Sequence, residues 1–64
     1  MLFADKIKFV RAKLLISQKE LARQLDVSFV TISRWESGKL EPNFLNEKKF
    51  EAYCSDKKIK FEEI

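Results

Sequence analysis

A stretch near the middle of the chain carries side chains that could contact nucleic-acid bases. If residues 28–37 form a helix, the turn of about 100° per residue places Ile32 and Trp35 on one side. The opposite side holds small, polar or cationic residues with one aromatic at its border: Phe29, Val30, Ser33, Arg34 and Ser37. Such a side has no reason to be buried, and it suits the major groove of duplex DNA, which admits one α-helix and displays base edges. We therefore expect the first four of these residues to read bases.

The four side chains offer different kinds of base contact. Arg34 can donate two hydrogen bonds to guanine, worth about 1–3 kcal/mol of discrimination, or it can hold a phosphate. Phe29 and Val30 have no hydrogen-bonding groups, so their contribution is apolar contact with thymine methyl groups and a bias toward A·T-rich sequence. The alternatives are that the Phe-Val pair is a protein-binding patch, or that Phe29 turns inward.

The composition argues against catalysis. The 64 residues include no His and a single Cys, Cys54, which removes the usual general base, the usual nucleophile pair and any zinc site. We expect no enzyme activity and no cofactor, and we expect Cys54 to be a small buried hydrophobe.

Two helix start signals position the candidate base-reading residues. Ser17 and Glu20 form a capping box, and Leu21, Ala22 and Leu25 then share one face of a two-turn helix that should end near Asp26. Ser28 can cap the next helix after a sharp turn. Gly38 should end that second helix, because it adopts left-handed geometry most readily. Residues 17–38 therefore predict two short helices joined by a tight turn.

This stretch resembles the Xre/Cro-type repressor domain. The resemblance covers about Ile7 to Tyr53, most of the chain. It is carried by residues at fixed spacing: Ser17-Gln18-x-x-Leu21-Ala22, Leu25-x-Val27-Ser28, Thr31-Ile32-Ser33-Arg34-Trp35-Glu36-x-Gly38-Lys39 and Pro42. It implies an all-α bundle of four to five helices in which the helix over residues 28–37 enters the major groove. It also implies phosphate contacts from four residues: Gln18, Ser28, Ser37 and Lys39. Finally, it implies a structural ion pair between Arg11 and Glu36.

One residue departs from the pattern of that family in the turn. Asp26 stands where the family usually has glycine. Aspartate tolerates left-handed geometry at a cost of about 1 kcal/mol, so we expect the turn to form.

Length and charge place the chain in a broad class. Sixty-four residues predict one domain, which buries only about 60% of its unfolded surface. The single Cys and the lack of an apolar N-terminal run predict a reducing cytoplasm and no membrane span. The net charge is +3, with eight basic against four acidic residues in 1–39 and five against six in 40–64. The cationic part therefore holds the motif, as a phosphate-facing surface requires.

The segments before and after residues 17–38 are expected to pack against the two short helices. Leu2 to Leu15 should form the first helix. A fourth helix should begin at Asn43 or Asn46, with one face made of four residues: Leu45, Phe50, Tyr53 and Cys54. Ser55 onward reads as a turn and then a weak tail, 55–64, with strand-like alternation. The tail could pack on the first helix at Phe9, pair with a second copy or begin a linker.

These observations favour sequence-specific binding of double-stranded DNA by a repressor-like transcriptional regulator. A single small module buries roughly 600–1,000 Å² on DNA, so we expect a homodimer on DNA. Two alternatives remain open. The domain could bind a protein partner, as in an antitoxin-type regulator, or it could be the targeting domain of a DNA methyltransferase or restriction system.

Overall fold

Four helices account for most of residues 1–61, the part of the chain that this computed structural model describes. They are α1 (Phe3–Leu14), α2 (Gln18–Leu25), α3 (Phe29–Ser37) and α4 (Phe44–Asp56). No strand occurs in this part of the chain, which confirms the predicted all-α class. None of these helices is long and apolar enough to cross a membrane.

Three of the helices begin at a polar cap that the sequence predicts. Ser17 Oγ accepts a hydrogen bond from the Glu20 amide at 3.0 Å, and Ser28 Oγ accepts one from the Thr31 amide at 3.1 Å. Asn43, rather than Asn46, caps α4. Each cap satisfies an amide that the helix itself leaves without a partner. The starts of α2, α3 and α4 are therefore set by hydrogen bonds between residues three apart in the sequence.

The first three helices end in left-handed residues. Leu15 (φ 56°), Asp26 (φ 57°) and Gly38 (φ 78°) follow α1, α2 and α3. Asp26 thus takes the left-handed geometry that its position requires, and its amide donates to the carbonyls of α2. Only Gly38 adopts this geometry without steric cost, since L-residues pay about 1–2 kcal/mol there.

The core fills the space between α1, α2 and α3. The buried apolar residues come from all four helices and from the segment after α4: Ile7, Val10, Leu21, Ala22, Leu25, Ile32, Trp35, Phe50, Cys54 and Ile59. The Phe3 ring packs edge-on against Trp35 at 5.3 Å and against Phe50 at 5.1 Å. The inward side of α3 therefore rests on α1, as the helical pattern predicts.

Helix α4 differs from the sequence expectation in two respects. Leu45 was expected on the buried face but is 65% exposed, so this prediction is wrong. Ser55 lies within α4 and not in a turn. Leu45 is exposed because Phe50 and Cys54 are the residues of α4 that face the core. Tyr53 lies beside them and donates a hydrogen bond to Gln24 Oε1 of α2.

The segment after α4 folds back over the helices. Lys58 adopts a left-handed conformation (φ 60°), and the next residue, Ile59, is buried. Phe61 packs against Phe9 of α1, with 5.6 Å between ring centroids, which agrees with the first of the three alternatives for the tail, packing on the first helix at Phe9. Residues 59–61 are not helical, and the rest of the predicted tail, 62–64, lies outside the described residues.

Candidate nucleic-acid interface

The outward side of α3 is exposed along its length. Phe29 is 44% exposed and Val30 is 51% exposed, so Phe29 does not turn into the core. Arg34 is exposed one turn further on, with the half-buried Ser33 beside it. The four candidate base-reading residues therefore lie on the accessible surface of one short helix whose opposite side is buried.

The cations at the end of this surface are available to a ligand. Within residues 1–61, neither the Arg34 guanidinium nor the Lys39 ammonium makes a hydrogen bond or an ion pair, and both side chains are exposed. Arg34 lies in the last turn of α3, and Lys39 directly follows Gly38, the left-handed residue that ends this helix. A long cationic side chain without a protein partner retains its full capacity to bind an anion or a base edge.

An ion pair fixes α3 relative to α1. Arg11 Nε donates to Glu36 Oε2 at 2.5 Å and Arg11 Nη2 donates to Glu36 Oε1 at 3.0 Å, so the contact is bidentate. Arg11 Nη1 also donates to the Ile16 carbonyl at 3.2 Å. The two side chains are 28% and 9% exposed. This arrangement ties the last turn of α1 and the segment before α2 to the last turn of α3.

The same carboxylate orients Gln18 at the start of α2. Gln18 Nε2 donates to Glu36 Oε1 at 3.0 Å. A carboxylate can only accept, so the amide nitrogen must face Glu36 and the amide oxygen must face away. The family resemblance implies a phosphate contact for Gln18, and this contact with Glu36 was not predicted.

These contacts stabilise the charged form of Glu36. Burial alone would raise the pKa of its carboxyl, but the hydrogen bonds from Arg11 and Gln18 outweigh burial and hold the pKa below its usual value. The bond to Glu36 correspondingly raises the pKa of Arg11. The pair is thus ionised at neutral pH and positions both neighbouring helices.

The remaining candidate phosphate contacts lie at the two ends of α3. Ser28 Oγ caps the helix and lies 2.9 Å from Thr31 Oγ1, while Ser37 Oγ donates to the Arg34 carbonyl at 3.1 Å. Both serines are exposed, but their hydroxyls already have partners inside the domain. Among the four candidate phosphate contacts, Lys39 is therefore the residue whose side chain has no hydrogen-bond partner within residues 1–61.

Lys19 belongs to the same surface, although the sequence gave no signal for it. Its Nζ lies 5.9 Å from the centroid of the Phe29 ring. The contact joins the first turn of α2 to the first turn of α3 and places a cation beside the exposed ring. Only the tertiary arrangement of two helices brings these residues together, so periodicity within one helix could not predict it.

Comparison with known proteins agrees with this geometry. A family model described as "Helix-turn-helix" matches residues 7–54, which are 48 of the 64 residues. The chain belongs to the helix-turn-helix family. This confirms the Xre/Cro-type resemblance drawn from residues 17–42.

One relative of this helix-turn-helix chain is a named regulator. The "HTH-type transcriptional activator BcrR" of Enterococcus faecalis is 39% identical over 65 aligned positions, which cover 97% of this chain and 32% of the relative. The chain therefore spans about a third of the length of that relative. No solved structure gives a significant match.

Proposed function

We propose that this helix-turn-helix domain binds double-stranded DNA in a sequence-specific manner and regulates transcription, with α3 in the major groove. The observation that carries the proposal is the exposed outward side of α3 on a frame held by Arg11 and Glu36. Family membership and the similarity to a transcriptional activator support it. The sign of regulation depends on where the bound site lies relative to a promoter.

In this proposal the two kinds of contact have separate tasks. Lys39, Ser28, Ser37 and Gln18 hold phosphates and set the orientation of the domain, which gives affinity without sequence information. Gln18 would use the second hydrogen of its amide nitrogen, since the first is donated to Glu36. Lys19 adds a further cation near the start of α3.

Bases are read by Arg34, Ser33, Val30 and Phe29. Arg34 reads guanine through two hydrogen bonds, and the apolar pair contacts thymine methyl groups. A single domain has too small a footprint for tight selective binding, so two copies bind half-sites about 34 Å apart on one face of the duplex.

Selection of bound sites from random duplex DNA, followed by a salt titration on the selected duplex, tests the proposal. Binding through several phosphates must weaken steeply with salt, because each neutralised phosphate releases counterions. An affinity that is flat or rises with salt would contradict DNA binding and favour an apolar protein contact.

Two single substitutions, one at Arg34 and one at Lys39, separate base reading from phosphate binding. Arg34→Lys keeps the charge but loses the two-pronged hydrogen bonding, so it should reduce discrimination at one base pair by about 10- to 100-fold while the salt slope stays unchanged. Lys39→Ala should instead lower affinity for all sequences and reduce the salt slope by about one. If both variants weaken all sequences equally, Arg34 does not read a base.

The thymine contacts have a chemical test that leaves the protein unaltered. Replacing thymine by uracil in the selected duplex removes only the methyl groups. We expect weaker binding by the native domain and a smaller effect of the replacement on Val30→Ala, because that variant has already lost most of the contact. Equal losses for both proteins would exclude Val30 from methyl recognition.

A second candidate function is recognition of a partner protein through Phe29 and Val30. The observation that favours it is their exposure of 44% and 51%. The salt titration distinguishes it, and either function is compatible with a domain of a longer protein that directs another activity to DNA.

A further inference from the structure

Three large apolar side chains near the start of α4 lie on the surface. Phe44 is 75% exposed, Leu45 is 65% exposed and Leu40 is 40% exposed. They lie within six consecutive residues, directly after the loop that carries Lys39. We refer to these three residues as the α4 patch. The capping by Asn43 and the core contacts of Phe50 hold α4 without them, so burial within the domain does not explain their chemistry.

The charge around the α4 patch argues against nucleic acid and anionic lipid as its partner. Helix α4 carries Lys48 and Lys49 against Glu47, Glu51 and Asp56, a net charge of −1. Residues 1–39 carry eight basic against four acidic residues. An anionic surface is therefore drawn to the other part of the domain, and the α4 patch suits an apolar protein surface.

The charges beside the α4 patch are also compatible with a second copy of the same surface. Lys48 Nζ lies 5.4 Å from the centroid of the Phe44 ring and 3.4 Å from Glu51 Oε1. Both charged side chains are more than half exposed. In a twofold contact each copy presents both signs to the other, so neither copy faces an uncompensated field.

We propose that the α4 patch is the surface through which two copies of this domain contact each other when they bind adjacent half-sites. This inference rests on the proposed DNA binding and adds the surface that joins the two copies. The longest Cα extent of the domain is 29 Å, so two copies in contact along that dimension have centres close to the spacing of about 34 Å between half-sites.

The size of the α4 patch sets the strength of the contact. Three partly exposed side chains of this kind offer roughly 300 Å² per copy, whereas a stable interface buries about 800 Å² per partner. The contact is therefore too small to maintain a dimer at micromolar concentration in free solution. On DNA the neighbouring site holds the second copy at a millimolar effective concentration, and the same contact becomes sufficient.

The first test needs no DNA. Amide shifts of the full chain are recorded by NMR from micromolar to millimolar concentration, for the native protein and for Leu45→Glu. We expect concentration-dependent shifts around residues 40–52 in the native protein and none in the variant. The variant should fold normally, because residue 45 is exposed and a carboxylate suits the first turn of a helix.

The second test measures cooperativity on duplexes with one and two selected half-sites. We expect the second native copy to bind at least about 10-fold more tightly than the first. Leu45→Glu should abolish this gain and leave the single half-site affinity close to that of the control variant Leu2→Glu. That control makes the same change at a residue that is 74% exposed and outside the α4 patch.

The two tests give separable outcomes. Loss of cooperativity or of the concentration-dependent shifts in Leu45→Glu alone supports the proposal. If the native shifts bypass residues 40–52 and cooperativity is equal in all three proteins, the α4 patch does not contact a second copy and another protein segment must be its partner. If no duplex binds while the shifts occur at the α4 patch, self-association stands and the proposed function fails.

Discussion

The ion pair between Arg11 and Glu36 should be the most consequential polar contact for stability. Arg11→Met removes two hydrogen bonds to the carboxylate and one to the Ile16 carbonyl, and it leaves a carboxylate that is 9% exposed with Gln18 as its partner. Removing one member of a buried pair costs about 3–5 kcal/mol. Since the Arg11 side chain is 28% exposed, solvent reduces this to roughly 2–4 kcal/mol.

This loss is large relative to the stability of so small a domain. At about 0.05–0.15 kcal/mol per residue, the whole chain unfolds with roughly 3–10 kcal/mol. We therefore expect Arg11→Met to lower the urea midpoint strongly, measured by helical circular dichroism and by the fluorescence of Trp35, which is buried in the native state. Arg11→Lys keeps the charge but not the bidentate geometry and should lose about half as much.

A double-mutant cycle isolates the pair. Glu36→Leu combined with Arg11→Met replaces both charges by apolar groups, so the double variant should be at least about 2 kcal/mol more stable than the sum of the single losses predicts. The exposed pair of Lys48 and Glu51, with side chains 55% and 57% exposed, is the matched control. Lys48→Met should cost less than about 0.5 kcal/mol. A coupling energy below about 0.5 kcal/mol between Arg11 and Glu36 would refute the reasoning.

Three further variants test other parts of the account. Leu15→Gly should raise the free energy of unfolding by about 0.5–1 kcal/mol, because Leu15 is left-handed and 89% exposed. Leu45→Gly, within α4, should instead lower the free energy of unfolding by about 1 kcal/mol. Changes of the same sign for both variants in urea unfolding would contradict this. Because the pKa of Glu36 is lowered in the folded state, its charge stabilises the fold at pH values above the unfolded pKa of about 4.3, and this contribution is lost as pH falls through the lower folded pKa. Glu36→Gln should therefore make stability depend less on pH in the acid range. An unchanged dependence on pH would contradict this. Phe61→Ala should increase amide hydrogen exchange around Phe9 and leave α3 unaffected, and no change at Phe9 would exclude the ring contact.

The sequence predicts the local features of the helix-turn-helix because they depend on neighbouring residues. The Ser17 and Ser28 caps and the left-handed Gly38 each follow from side-chain or backbone chemistry within four residues. The inward side of α3 follows from helical periodicity, since Ile32 and Trp35 recur at the required spacing.

The remaining features depend on how distant residues meet. The hydrogen bond from Gln18 to Glu36 spans 18 residues and exists only because α2 crosses the end of α3. The exposure of Leu45 was not predicted, because its apolar type fits either an inward position or a surface for another molecule. The placement of Phe9 required the position of Phe61, which no periodicity specifies.

Chemical-shift mapping of a selected duplex onto the domain tests the central claim most directly. At low ionic strength we predict that the largest changes fall on Val30, Ser33 and Arg34, with weaker changes at Gln18 and Lys39 near the phosphates. Shifts confined to residues outside α2 and α3, or no shifts at saturating duplex, would contradict the claim that the outward side of α3 reads base pairs.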